Sequence, residues 1–306
     1  MTRRDTIIIG AGPAGMTAGL YTSRAKLDTL MLAPMGCGGQ SVITDWIDNY
    51  PGFPEGVSGF ELAAFMEKQA RRFGLSIESE EALSVTRAPD GFVVTTPSGT
   101  HETRSIIIAS GASYKKLSVP GEQEFTGKGV SYCATCDGPF FRDRDVALVG
   151  GGDSAIQEAL FLTRFVRSVT VIHRRDALRA AKVLQEKAFG NPKIQFAWNA
   201  VVTAVRGDEK VSSVAVKDVQ TGAERDIPVT GVFVFVGLVP NTAFIKDFVA
   251  CDGQGYILTD DTMTTSIPGI CACGDVRAKL LRQVVTAAGD GATAAFAVQH
   301  YLEEHG

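Results

Sequence analysis

The stretch DTIIIGAGPAG, at residues 5–15, aligns without gaps with DVALVGGGDSA at residues 145–155. Each is a short β-rich apolar run that leads into a glycine turn, and a helix-like segment follows, MTAGLYTSRA or IQEALFLTRF. A second β-rich run comes next in both copies, DTLMLA and SVTVIHR. A strand, a glycine turn, a helix and a second strand make up the beginning of a doubly wound parallel sheet. The repeat therefore predicts two such sheets in one chain.

The order of these segments predicts that one domain is inserted into the other. A buried strand that ends in glycine closes each unit, SIIIASGAS at residues 105–113 and GVFVFVGLVPN at residues 231–241. The residues beyond the second of these strands are too few for a third domain, so we expect them to complete the first. The predicted fold class is α/β, with two Rossmann-like dinucleotide-binding domains of three-layer ββα architecture: residues 1–115 with 246–306, and the inserted residues 116–245.

Composition and charge narrow the class of protein. The 306 residues suit two domains, and 45% apolar with 21% charged residues is ordinary for a globular chain. A net charge of −4 without a basic run disfavours nucleic acid as a partner. The longest apolar run, VTGVFVFVGLVP, is too short and too broken by glycine to span a bilayer, so no membrane partner is expected. MTRRD leads directly into a strand, which predicts no signal peptide and a cytoplasmic location.

The first glycine turn has the pattern that binds a dinucleotide. Gly10 permits the tight turn, Gly12 lets the backbone approach a pyrophosphate, and Gly15 allows close packing of strand and helix. The following helix N-terminus offers free N–H groups to phosphate. Ala33 and Pro34 stand where such units place an acid for the ribose, so backbone groups or Gln40 would have to substitute.

The second glycine turn, G-x-G-x-x-A, is followed by a cationic cluster at the end of the next strand. This cluster holds His173, Arg174 and Arg175, with Arg179 just beyond. Cations at this position suit a 2′-phosphate, which favours NADPH over NADH. The alternative is a solvated basic face without a ligand.

CATCD, at residues 133–137, stands shortly before the second turn, and its two cysteines have three possible roles. A zinc site needs two more ligands, and Cys271-x-Cys273 lacks the usual spacing. A structural disulfide over so short a loop is unusual in the cytosol. A redox pair is favoured, and no metal site is predicted. Asp137 could exchange a proton with a departing thiolate, or it could be a turn or N-cap residue.

Asp275, in CACGDV, follows a buried strand near the end of the chain. Its carboxylate could hold a sugar-alcohol chain, and the helix that opens near residues 282–284 would direct its positive end toward developing negative charge on a ligand. A reduced flavin carries such charge on its pyrimidine edge. The alternative for Asp275 is a helix or turn cap.

Over essentially its whole length, the chain resembles the low-molecular-weight thioredoxin reductases. The motifs that carry the resemblance are GAGPAG, GCGGQ, DNYPGFP, CATCD, GGGDSA, HRRDALRA, CACGDV and RQVVTAAGDGATAA, in the family's order and spacing. The resemblance implies an outer domain that binds FAD, an inserted domain that binds NADPH, and a homodimer. It implies that hydride passes from NADPH to FAD, that reduced flavin reduces the dithiol, and that the dithiol reduces thioredoxin.

The resemblance also assigns roles by position. Cys133 would attack the disulfide of thioredoxin, Cys136 would face the flavin, and Asp137 would act as acid and base. The implied FAD residues are Gly10, Gly12, Pro13, Ala14, Gly15, Gly39, Gln40, Asn49, Gly111, Asp275, Arg282 and Gln283. The implied NADPH residues are Gly152, Asp153, Ser154, His173, Arg174, Arg175 and Arg179.

Other functions fit these motifs less well. A glutathione-reductase-like enzyme would place C-x4-C soon after the first turn, where this chain has only Cys37. A peroxiredoxin-reducing relative would need an N-terminal thioredoxin-like region, and a ferredoxin–NADP reductase relative would lack the dithiol. A reductase of another thioredoxin-like or glutaredoxin-like partner, and a flavin-holding redox sensor that does not turn over, remain as alternatives.

Overall fold

The structure is a computed structural model that describes residues 3–44 and 46–305, with only the backbone of Cys136. The strands, in chain order, are β1 Arg4–Ile9, β2 Thr29–Leu32, β3 Ser76–Glu78, β4 Ser84–Ala88, β5 Gly91–Thr96, β6 Gly99–Ile108, β7 Ala112–Tyr114, β8 Val130–Ser131, β9 Asp145–Gly150, β10 Ser168–Ile172, β11 Ile194–Ala197, β12 Ala200–Gly207, β13 Val211–Asp218, β14 Glu224–Pro228, β15 Gly231–Phe235, β16 Leu238–Pro240 and β17 Ile270–Ala272. The α-helices are α1 Pro13–Arg24, α2 Gly59–Arg72, α3 Ala134–Asp137, α4 Asp153–Leu162, α5 Lys182–Phe189 and α6 Val284–Glu304. Short 3₁₀ turns cover Gly39–Ser41, Gly138–Phe141 and Gly274–Val276.

The chain divides into two compact units, and the second is inserted into the first. The outer unit consists of Met1–Ser113 and Val239–Gly306, and the inner unit of Tyr114–Leu238. The second crossing therefore lies before Val239, whereas the boundary expected from the sequence lay between residues 245 and 246. Ile245 explains the difference, because its side chain is already buried in the core of the outer unit.

The outer unit is built around a sheet with the order β3-β2-β1-β6, and β17 extends it beside the last residues of β6. The first half of β6 pairs instead with β5 in an antiparallel meander. Alternate residues of the parallel strands bury opposite faces. Ile8 and Ile107 face the cluster formed with α1 and α6, while Ile7 and Ile106 face the cluster on the other side. Burial on both faces explains why these strands read as continuous apolar runs.

The inner unit repeats the plan with a parallel sheet of order β11-β10-β9-β15-β8 and a separate antiparallel sheet of order β12-β13-β14. Leu148 and Val171 pack against α4 and α5, whereas Val149 and Ile172 pack against the antiparallel sheet. Helices on one face and a second sheet on the other produce three layers. The predicted fold class is therefore confirmed.

The two segments that cross between the units, β7 and β16, pair with each other as a two-stranded sheet. Asn241 reinforces the outer end of this connection, since its Nδ2 donates to the carbonyl of Ser110 at 2.9 Å and its Oδ1 accepts from Ser113 Oγ at 2.7 Å. Within the described residues, no helix has both the length and the apolar character needed to cross a membrane.

Candidate active site

The three glycines of the first turn occupy three different environments. Gly10 has a φ of +106°, and a Cβ there would lie 2.4 Å from the carbonyl oxygen of Ala109. A Cβ on Gly15 would lie 1.9 Å from the carbonyl oxygen of Gly10, so this glycine lets α1 pack against the strand. A Cβ on Gly12, in contrast, would meet nothing within 4 Å. The space beside Gly12 is therefore open to a ligand rather than filled by protein.

The N-terminus of α1 is also open. Gly12 is its N-cap and provides no side-chain hydrogen bond, and Pro13 and Ala14 begin the helix. The first N–H groups of a helix have no partner inside the helix, and they favour an anion. This end of α1 consequently has the chemistry of a phosphate site.

A glycine loop lies against this turn. The N–H of Gly38 donates to the carbonyl of Ala11 at 2.7 Å, and a Cβ on Gly39 would lie 3.1 Å from Cα of Gly12. Gln40, which together with backbone groups was a candidate to replace the ribose acid, uses its Nε2 to donate to the carbonyl of Ala112 at 3.1 Å. The side chain thus braces the strand that carries the chain out of the outer unit.

Three further residues with implied FAD roles come from distant parts of the chain. Asn49 Nδ2 donates to Gln283 Oε1 at 2.9 Å, and Gln283 also caps α6 through a reciprocal arrangement with Thr286. Gly111 has a φ of +68° and open space beside its Cα. The fold therefore brings Asn49 to the start of the last helix, which no local pattern in the sequence indicates.

Asp275 lies in a 3₁₀ turn directly after β17, and its Oδ1 is buried without a hydrogen-bond partner. Burial raises the pKa of this carboxyl, although the nearby Lys279 and Arg282 oppose the shift. The guanidinium of Arg282 lies 4.0 Å from the centroid of the Tyr256 ring, and its Nε is likewise buried without a partner. Buried polar groups without partners are rare in native proteins, and a bound polar ligand is one explanation.

An ion-pair network beside this turn was missed by sequence reasoning. Asp290, on α6, accepts from Lys279 Nζ at 2.7 Å, from Arg277 at 3.3 Å and from the backbone N–H of Gly274 at 3.1 Å. The network holds the Gly274–Val276 turn to the helix. The signal in the sequence was a single carboxylate within the otherwise small and apolar stretch TAAGDGATAAFAV.

The second glycine turn has the same construction. A Cβ on Gly150 would lie 2.5 Å from the carbonyl oxygen of Phe235, whereas a Cβ on Gly152 would meet nothing within 4 Å. Gly152 is the N-cap of α4 and provides no side-chain hydrogen bond, and Ser154 is exposed in the first turn of this helix. The inner unit thus has its own open helix N-terminus.

The cationic segment is fastened to this turn by two hydrogen bonds. The N–H of Arg179 donates to the carbonyl of Gly151 at 2.7 Å, and Asp153 Oδ1 accepts from the N–H of Ala181 at 2.7 Å. The side chains of Arg174, Arg175 and Arg179 are exposed, and none is in an ion pair with another residue that the structure describes. Three unpaired guanidinium groups therefore stand beside an open helix N-terminus.

His173 occupies a different position from the arginines, because it is buried beneath the turn. It is 5% exposed, and a Cβ on Gly151 would lie 2.4 Å from its ring. Burial lowers the pKa of His173, and a hydrogen bond with the backbone of Ala177 opposes this shift. The ring also makes an edge contact with Trp198, at a centroid distance of 6.3 Å. His173 thus supports the turn from inside the domain.

The dithiol segment begins directly after β8. The sulfur of Cys133 is in a disulfide, and the side chain of Cys136 lies outside the described part of the chain. The Ser131 hydroxyl accepts from the N–H of Cys133 at 3.0 Å and donates to its carbonyl at 3.1 Å. The N–H of Asp137 donates to the same carbonyl at 3.1 Å, which closes the single turn of α3.

A cavity of about 320 Å³ opens beside Asp137. Its lining includes Phe140 together with the basic side chains of Lys128, Arg144 and Lys210. Phe140 is 78% exposed. A carboxylate, an exposed aromatic ring and three basic side chains thus line one cavity next to the dithiol segment.

The other four cysteines are free. Burial raises the pKa of Cys271 to about 12 and that of Cys37 to about 11, and it raises the pKa values of Cys251 and Cys273 as well. The thiolate is the reactive form of cysteine, so these four groups are poor nucleophiles at neutral pH.

Comparison with known proteins places the chain in a family. Residues 4–291 match the family model described as Pyridine nucleotide-disulphide oxidoreductase. Two nucleotide turns and a disulfide in one chain define the same class of protein.

Individual relatives narrow this class. The chain is 49% identical to thioredoxin reductase of Treponema pallidum over 302 residues, which cover 99% of this chain and 98% of the relative. It is 48% identical to thioredoxin reductase of Bacillus subtilis, with 98% and 95% covered. The crystal structure of Lactococcus lactis thioredoxin reductase matches with a TM-score of 0.97 at 45% identity, over 99% of this chain and all of that one. The chain therefore belongs to the thioredoxin reductase family of the pyridine nucleotide-disulphide oxidoreductases.

Proposed function

We propose that this protein is an NADPH-dependent thioredoxin-disulfide reductase that uses FAD. The observation that carries the proposal is the disulfide of Cys133 in the same unit as the second nucleotide turn. Its relatives of 46–50% identity are thioredoxin reductases, and this supports the same substrate class for the chain. The redox-sensor alternative is disfavoured, since these relatives carry the name of an enzyme.

The outer unit fits FAD. The open space at Gly12 and the N-terminus of α1 suit its pyrophosphate, and the buried, unpartnered atoms of Asp275 and Arg282 suit a ligand that both accepts and donates hydrogen bonds. At the start of α6, Gln283 and Asn49 already form a polar pair. When bound, FAD and NADPH supply the hydride and electron transfer that amino-acid side chains cannot perform.

The inner unit fits NADPH. The N-terminus of α4 would bind the pyrophosphate, with Gly152 leaving room for its approach and Ser154 adding a hydroxyl. Arg174, Arg175 and Arg179 would hold the 2′-phosphate, because guanidinium groups bind phosphate with charge-assisted hydrogen bonds. His173 would hold the turn in place from beneath, since its ring lies against Gly151. Asp153 would hold the cationic segment to the turn through its hydrogen bond with the N–H of Ala181.

The polypeptide's own contribution to the chemistry is thiol–disulfide exchange. The thiolate of Cys133 attacks one sulfur of the partner's disulfide and forms a mixed disulfide, and the second partner sulfur leaves as a thiolate. The thiolate of Cys136 then attacks the sulfur of Cys133. This re-forms the enzyme disulfide and releases the partner sulfur that was bound to Cys133, also as a thiolate. Asp137, at the cavity that opens beside α3, would supply protons to the leaving thiolates.

The partner's docking site follows from the surface around the dithiol segment. Exposed Phe140 would fit an apolar recess of thioredoxin, and the basic rim of Lys128, Arg144 and Lys210 would meet acidic residues on it. We also propose a homodimer in a reducing cytoplasm, in keeping with the resemblance that the motifs carry. Sedimentation equilibrium at micromolar concentration would check the dimer.

The direct test is NADPH oxidation in the presence of the host's own thioredoxins. The purified protein should be yellow, NADPH should bleach it without air, and turnover should require an oxidised thioredoxin. A protein that cannot be reconstituted with FAD, or one that bleaches but turns over with no thioredoxin-like protein, would contradict the proposal.

A further inference from the structure

A buried carboxylate, Glu122, lies in the inner unit between the crossing from the outer unit and the dithiol segment. It is 3% exposed. Its Oε1 accepts from the N–H of Leu117 at 2.7 Å and from the Tyr132 hydroxyl at 2.8 Å, and its Oε2 accepts from the N–H of Ser118 at 2.6 Å. Short hydrogen bonds from three donors hold this carboxyl group in a fixed position.

The donors of Glu122 come from two functionally different segments. Leu117 and Ser118 follow β7, which brings the chain into the inner unit, and Ser118 has a φ of +60°. Tyr132 is the residue directly before Cys133. The carboxylate therefore links the end of the crossing to the beginning of the dithiol segment.

Packing and hydrogen bonds hold the residues around Cys133 in place. The ring of Tyr132 packs against the core cluster that also receives Leu117. Burial, together with the neighbouring Glu122, raises the pKa of Tyr132 to about 12, so its hydroxyl stays a donor at neutral pH. On the other side of Tyr132 in the chain, the Ser131 hydroxyl bonds both the N–H and the carbonyl of Cys133.

We infer that Glu122 is a positioning residue for the dithiol: through Tyr132 it holds the backbone of Cys133 at the place that disulfide exchange requires. The inference rests on the proposed function, since it concerns the rate of that exchange. The hydrogen bonds of the Glu122 carboxylate go to protein groups outside both glycine turns, so its loss should slow the steps that involve Cys133 and leave flavin reduction by NADPH unchanged. A displacement of about 1 Å at a reacting group lowers rates by up to about 10²-fold, and a loosened link should cost about tenfold.

The test uses the flavin-loaded enzyme with Glu122→Gln, Tyr132→Phe and the double variant, and with Glu124→Gln as a matched control. Glu124 is exposed two residues away, so its variant removes the same charge without a buried contact. Two rates are measured for each protein: anaerobic bleaching of the flavin by NADPH, and steady-state reduction of thioredoxin. We expect kcat for thioredoxin to fall about tenfold in Glu122→Gln and less in Tyr132→Phe, with the Michaelis constant unchanged.

The double variant tests the route. If Glu122 acts through Tyr132, the double variant should be no slower than Glu122→Gln, because both substitutions weaken the same link to Cys133. Multiplied single effects would overturn the inference, as would equal kcat values for Glu122→Gln and Glu124→Gln, or a parallel fall in flavin bleaching. If Glu122→Gln does not fold, Tyr132→Phe decides alone, and an unchanged kcat would overturn the inference.

Failure of the proposed function can be distinguished from failure of the positioning role of Glu122. If the wild-type protein reduces no thioredoxin, the proposed function fails. The reaction of the reduced dithiol with a small aromatic disulfide, followed by thiolate absorbance, still compares the variants with wild type. Equal rates in that assay would overturn the positioning role.

Discussion

At the scale of the residue, Asp275 shows a conflict between stability and binding. Its carboxyl group is buried and its Oδ1 has no partner, so the folded chain without ligand keeps a polar group in an unfavourable place. Residues of this kind often belong to binding sites, where the ligand supplies the missing partner.

The pH dependence of stability tests this reading of Asp275. Because burial raises the folded-state pKa, the folded chain holds a proton that the unfolded chain has already released above about pH 4. The free energy of unfolding should therefore fall as pH rises from about 4 through the raised pKa, and Asp275→Asn should lack this loss. Flavin-free Asp275→Asn should thus be more stable than wild type in urea at pH 7, with the difference shrinking toward pH 4, yet bind FAD more weakly.

The control for this experiment is Asp261→Asn, which neutralises an exposed carboxylate. A stability difference for Asp275→Asn that does not vary with pH, or unchanged FAD affinity, would contradict the role given to Asp275.

The dithiol is the second test at this scale. Cys133→Ser and Cys136→Ser should each abolish thioredoxin reduction, while anaerobic flavin bleaching by NADPH survives, because hydride transfer needs neither thiol. Asp137→Asn should slow thiol exchange by roughly 10²–10⁴-fold, the usual contribution of a positioned proton donor. Near-normal turnover in either serine variant would show that the mechanism is wrong, and a loss below about threefold for Asp137→Asn would favour a turn-capping role.

At the scale of the element, each glycine turn has glycines that the fold requires and one that we propose serves ligand binding. Gly10, Gly15 and Gly150 are needed because protein atoms lie where a Cβ would stand. Gly12 and Gly152 have open space instead, and both have negative φ values that alanine can adopt. Alanine at these two positions should therefore leave the fold intact and weaken only the binding of the ligand.

Alanine substitutions at these positions distinguish glycines that the fold requires from glycines that ligand binding requires. Gly12→Ala should change the free energy of unfolding of the flavin-free chain by less than about 1 kcal/mol and yield a protein with little bound flavin. Gly152→Ala should remain yellow and bind NADPH poorly. Gly15→Ala is the contrast, since its Cβ meets backbone and should destabilise the fold. Flavin absorbance, NADPH titration and thermal unfolding report the three outcomes, and normal flavin content in Gly12→Ala would contradict the site.

The cationic segment after β10 is the proposed element of specificity for NADPH over NADH. Replacing Arg174 and Arg175 together with neutral residues should weaken NADPH by at least about tenfold, since each charge-assisted hydrogen bond contributes about 1.5–3 kcal/mol. NADH affinity should hardly change, because it lacks the 2′-phosphate. An equal loss for both nucleotides, measured by titration of the same preparation, would assign the pair to the fold.

At the scale of the whole molecule, the order of the motifs has a consequence for turnover. The inner unit carries both the proposed nicotinamide site and the dithiol, and the outer unit carries the proposed flavin site. Both the nicotinamide and the disulfide must reach the reactive part of one flavin, and they cannot do so at the same time. Movement between the units is therefore expected during each catalytic cycle, with β7 and β16 as the connection that must accommodate it.

A covalent crosslink tests this expectation. Two surface cysteines, one in each unit and away from both turns and the dithiol, would be joined with a non-reducible bismaleimide. The joined protein should complete one half-reaction and stop turning over, while single-cysteine variants treated with the same reagent should retain activity. Normal thioredoxin reduction by the fully joined protein would exclude the movement.

Much of this architecture was predictable because its signals are local. A strand, a glycine turn and a helix within about 30 residues express their own backbone requirements, as the φ of +106° at Gly10 shows. The repeat of that unit, and the short tail after the second copy, predicted the inserted arrangement. The dithiol and the arginines could likewise be identified from the sequence, because their chemistry depends on a few neighbouring residue types.

Only the tertiary structure decided which distant residues meet. Asn49 reaches Gln283, and Asp290 holds the turn that presents Asp275, through packing of segments far apart in the chain. The structure also placed His173 beneath the turn and moved the second crossing to Val239, because burial depends on neighbours from other elements. Glu122 is the clearest case. In the sequence PGEQEF it cannot be distinguished from the exposed Glu124, and only the fold surrounds it with the donors of Leu117, Ser118 and Tyr132. Local motifs can be recognised from neighbouring residues, whereas burial and hydrogen-bond partners depend on contacts that form only in the folded chain.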